Sequence, residues 1–144
     1  MAAPTYTWSY VENIFGYGVP KVTVLEASTS LETKVGTALV MASGYLDEAT
    51  ASVVALIGLA AEATSAAATQ ADPIKVLVLR HGDVIKGTAN ASAATLSGFN
   101  GKLGDFHTDG SLDVADTTDG CLSVLRTEDA GLTVYCVVTI GAIF

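Results

Sequence analysis

Asp72-Pro73-Ile74-Lys75-Val76-Leu77-Val78-Leu79-Arg80-His81-Gly82-Asp83-Val84-Ile85-Lys86-Gly87 joins a Pro-opened apolar run, a Gly turn and a second short apolar run. In an extended chain Ile74, Val76 and Val78 share one face and Leu77 and Leu79 the other, so the first run demands cover on both sides. That is more apolar surface than an edge strand carries, and Pro73 fixes where the strand begins. The stretch reads as a hairpin at the centre of a small β core. The C-terminal strands are expected to cover one of its faces, and residues 52–60 or a neighbouring subunit the other.

Working outward, 144 residues make one domain, long enough to bury roughly two thirds of its unfolded surface. Charged residues are 15% of the chain, against about 25% in an ordinary soluble domain. So neutral a surface suits a subunit that hides much of itself against neighbours. With seven Lys and Arg and a net charge of −8, the chain lacks the clustered cations that bind phosphate backbones, and no nucleic-acid partner is expected. The most apolar segment, 53–61, is about half the length of a membrane span, so no membrane partner is expected either. The N-terminus has neither a basic region nor an apolar stretch of the secretory kind. Cys121 and Cys136 stand alone in strand-like runs, either as buried free thiols or as a cross-strand disulfide.

Residues 1–20 differ in character: Tyr6, Trp8, Tyr10, Phe15 and Tyr17 alternate with Pro and Gly, without helical periodicity. Extended, about 20 residues reach some 60 Å, well beyond the roughly 15 Å radius of gyration of such a domain. Two readings stand, a strap across the protein's own core and an arm that docks on a neighbour. The second is slightly favoured, because aromatics anchor interfaces with few rotors to immobilise. Residues 1–20 are therefore taken as an extended arm and 21–144 as the domain.

From Lys21 to Ala27 apolar and polar residues alternate as in a strand, with Val22 and Val24 expected to face inward. Thr37–Met41 and a strand opening at Tyr45-Leu46 follow, separated by Gly44. Residues 52–60 are ambiguous, since an Ala-rich context allows a helix whereas Val53, Val54, Ile57 and Gly58 favour a buried strand; strand is the preferred reading. Beyond residue 103, Asp-Gly turns at 109–110 and 119–120 separate short runs and point to an antiparallel meander ending in Leu132–Ile140. In that last strand Tyr135 lies on a semi-apolar face, and the chain closes on Ile143-Phe144 with no polar tail; these three are candidate subunit contacts.

Motifs for chemistry are missing from the sequence. His81 and His107 lack neighbours that would make a ligand set or a nucleophile's base. Asp105, Asp109, Asp113, Asp116 and Asp119 lack the register of a calcium loop and suit turns. No nucleophile elbow, zinc-protease pair or dinucleotide fingerprint is present, and Gly101-Lys102-Leu103 is not a phosphate loop. No catalytic residue, cofactor or metal is expected.

Val22-Thr23-Val24-Leu25-Glu26-Ala27, the run Leu56-Ile57-Gly58-Leu59-Ala60-Ala61-Glu62-Ala63, Ile74–Leu79 leading into Gly82-Asp83-Val84-Ile85, and Gly104-Asp105-Phe106 with Asp109–Val114 occur in this order. Over residues 21–144 the pattern resembles the capsid decoration, or cement, proteins of tailed bacteriophages. The resemblance implies an all-β fold, a compact antiparallel β-barrel or β-sandwich, with 52–60 as a strand. It also implies a non-enzymatic homotrimer, made in the host cytoplasm, that clamps neighbouring major capsid proteins on the outside of the virion. Residues 1–20 match no motif of that family. Rival readings are a tail- or fibre-associated virion subunit and a soluble trimeric β-barrel enzyme or ligand-binding module.

Overall fold

The computed structural model describes residues 3–28, 31–49, 56–65, 72–96, 103–117 and 120–139. Within them the chain is all-β. Its strands are β1 (Ser9–Asn13), β2 (Val22–Glu26), β3 (Ala38–Ala42), β4 (Tyr45–Glu48), β5 (Gly58–Ala60), β6 (Pro73–Val78), β7 (Asp83–Thr88), β8 (Asp105–Phe106), β9 (Leu112–Asp113), β10 (Leu122–Glu128) and β11 (Thr133–Val138). Every ladder between them is antiparallel. One sheet has the order β1-β7-β11-β10, a second β2-β6-β5-β3-β4, and β8 and β9 pair on their own.

Asp72–Gly87 is not a hairpin. β6 pairs with β2 and β5, and β7 with β1 and β11, so the turn at residues 79–82 carries the chain from one sheet to the other. The reason lies in burial: Ile74 and Val76 point into a core enclosed by the second sheet, while Leu79 and Ile85 point into a core that both sheets share. The face carrying Ile74 and Val76 is covered by the second core, whereas on the opposite face Lys75 is exposed and Leu77 only half-buried, so the strand lacks the cover expected on both sides. β5 lies beside β6 as its ladder neighbour and does not cap its face, which corrects the expected placement of 52–60. Gly58–Ala60 is strand, in line with the preferred reading, and residues 51–55 lie outside the described residues.

The shared core contains Trp8, Leu59, Leu79, Phe106, Leu122 and Val134. The second core, with Leu39, Leu46, Ile57, Ile74 and Val76, fills the concave side of the five-stranded sheet. That sheet curls until its two edge strands meet at one point, where Ala27 bridges Leu46 and the Ser28 N–H donates to the Leu46 carbonyl at 2.9 Å. Among the described residues neither sheet closes into a barrel.

Two further expectations change. Val22 and Val24 face outward, 54% and 55% exposed, because the alternation of β2 turns Leu25, half-buried, and Ala27, buried, inward instead. The meander is broken: β8–β9 and β10–β11 are hairpins, but Gly104 rather than β9 bridges to Leu122.

Candidate functional site

The N-terminal segment is built into the body over its first half. Trp8 is 3% exposed, its Nε1 donates to the Gly110 carbonyl at 2.8 Å, and its ring meets Phe106 edge-on at 5.6 Å. Gly87 lies beneath the indole so closely that a Cβ there would stand 2.4 Å from ring atoms. The Tyr6 and Trp8 amides bond to the Asp109 and Gly36 carbonyls, and Ser9–Asn13 then joins β7 as an edge strand. For Trp8 and Tyr10, which packs on the shared core, this is the strap rather than the extended arm.

The second half turns outward. Asn13 fixes the turn: its Nδ2 donates to Asp83 Oδ1 at 2.9 Å, and its Oδ1 accepts from the Phe15 amide at 2.8 Å. Asp83, fully buried, also accepts from the Arg80 backbone and side chain, with Nη2 at 3.0 Å. Arg80 in turn reaches the Gly18 carbonyl and lies 5.9 Å from the Tyr17 ring centroid. Hydrogen bonding to Asp83 holds the Arg80 guanidinium above its ordinary pKa. Phe15 stacks on His81 at 5.9 Å and stands 6.2 Å from Tyr17. Phe15 is nevertheless 57% and Tyr17 63% exposed. A buried polar latch thus presents two aromatic rings to solvent.

These rings belong to a wider surface. Eight of the eleven exposed large apolar side chains among the described residues fall between Tyr6 and Val24, so exposure of this kind is concentrated in one short segment. Val22 and Val24 line up with Leu77 and Lys75 of β6 on the outer face of the second sheet. Where that face meets β1, Trp8, Tyr10, Val22, Val35, Leu59 and Leu77 line an open apolar groove of about 310 Å³. The arrangement is suited to burying apolar side chains and extended backbone from another molecule.

The remaining sequence-predicted positions lie elsewhere. Tyr135 is 7% exposed, covered by Arg126, whose Cζ is 3.9 Å from the ring centroid, and by Lys86 at 5.5 Å. Ile143 and Phe144 lie outside the described residues. His107 Nδ1 is 3.2 Å from Asp109 Oδ1 without hydrogen-bond alignment. Burial works upward on the Asp109 carboxyl, but the Ser111 hydroxyl and amide and nearby His107 outweigh it and hold the carboxyl below its ordinary value. Cys121 and Cys136 are free and buried. Burial pushes the Cys121 thiol up to about 12 and the Cys136 thiol further in the same direction.

Sequence reasoning missed Val19, Val22, Val24 and Val35 as surface residues. Alternation divides a strand into two faces, but when Val22 and Val24 oppose Leu25 and Ala27 it does not say which face is inside. Compared with protein-family models, with curated proteins and with solved structures, the chain matches none.

Proposed function

We propose that the protein is a structural component of a phage virion that binds the outer surface of the capsid and reinforces the shell by clamping neighbouring major capsid proteins. The observation that carries this reading is the gathering of exposed apolar side chains into residues 6–24. A chain with few charges and a latched aromatic tip has the makings of a docking surface, and Tyr17 with Arg80 gives the tip the side chains that dominate interface energies. The sequence resemblance supplies the partner class. Phe15 and Tyr17 are assigned to the capsid contact, and Trp8, already in the core, to holding the segment in place.

Deleting residues 1–20 would remove Trp8 and β1 from the fold, so the contact is tested by point changes. Co-sedimentation with emptied phage shells is expected to weaken at least tenfold in the Phe15→Ser/Tyr17→Ser variant, with an unchanged thermal melt. Equal binding by the variant removes these side chains from the contact. Absence of the protein from purified particles, judged by mass spectrometry and immunogold labelling, removes the capsid reading altogether.

A further inference from the structure

We draw no further inference here: the strongest candidate, the open apolar groove that Trp8, Tyr10, Val22, Val35, Leu59 and Leu77 line between β1 and the outer face of the five-stranded sheet, carries no proposal because nothing in the structure shows what covers it.

Discussion

Asp83 satisfies Asn13 of β1 and both the amide and guanidinium of Arg80 from a fully buried position. Asp83→Ala strands these donors, and urea denaturation is expected to register a loss of about 2–3 kcal/mol. Trp8 is the single tryptophan, so its fluorescence reports on the shared core directly. Trp8→Ala is expected to cost about 3–5 kcal/mol. The thiols set a pH limit. Their folded pKa values lie above the ordinary 9.0, so the stability associated with their burial is complete below pH 9 and is lost as pH rises from 9 toward about 12. Unfolding free energy measured across that window should fall by up to about 1.4 kcal/mol per pH unit for each thiol. The Cys121→Ala/Cys136→Ala double variant should lose that part of the slope; an unchanged slope would assign it to other groups.

At the scale of elements, β2 and β7 behave oppositely although both are regular strands. β7 is flanked by β1 and β11, and Gly87 within it exists to admit the Trp8 ring. Gly87→Ala is expected to cost about 1–3 kcal/mol through overpacking, read as a lower midpoint in urea. β2 has one neighbour, toward which Lys21 and Ala27 bond through Val78 and Asp72, so its amides should alternate in hydrogen exchange: Thr23 and Leu25 slow, Val22 and Val24 fast in dilute solution. Uniform protection of all four amides at low concentration would contradict the ladder polarity.

Across the whole molecule, the two sheets are tied by one core that takes Leu59 and Leu79 from one side and Ile85, Val124 and Val134 from the other. Unfolding should therefore be a single transition, with Trp8 fluorescence and far-ultraviolet circular dichroism giving the same midpoint. Separate midpoints would mean that the core enclosed by the five-stranded sheet melts on its own. The exposed apolar segment follows from the same architecture, since residues 14–20 cross from β1 to β2 over the surface, held by the Ile14 N–H on the Gly82 carbonyl, the Asp83 latch and the stacking of Phe15 on His81.

Local signals sufficed for the all-β class and the antiparallel C-terminal hairpins, because β-branching, alternation and Asp-Gly turns act over a few residues; the cover expected on both faces of Ile74–Leu79 is not met, since Leu77 stays half-buried on the outer face. The sequence also marked residues 1–20 as distinctive through their aromatic content. Packing between distant strands was needed to fix that Arg80–Gly82 joins two sheets instead of closing a hairpin, that Trp8 is core while Phe15 and Tyr17 are surface, and that Val22 and Val24 look outward. Each of these is a choice between two locally equivalent apolar faces, and what settles it is the area that distant strands bury against one face and leave open on the other.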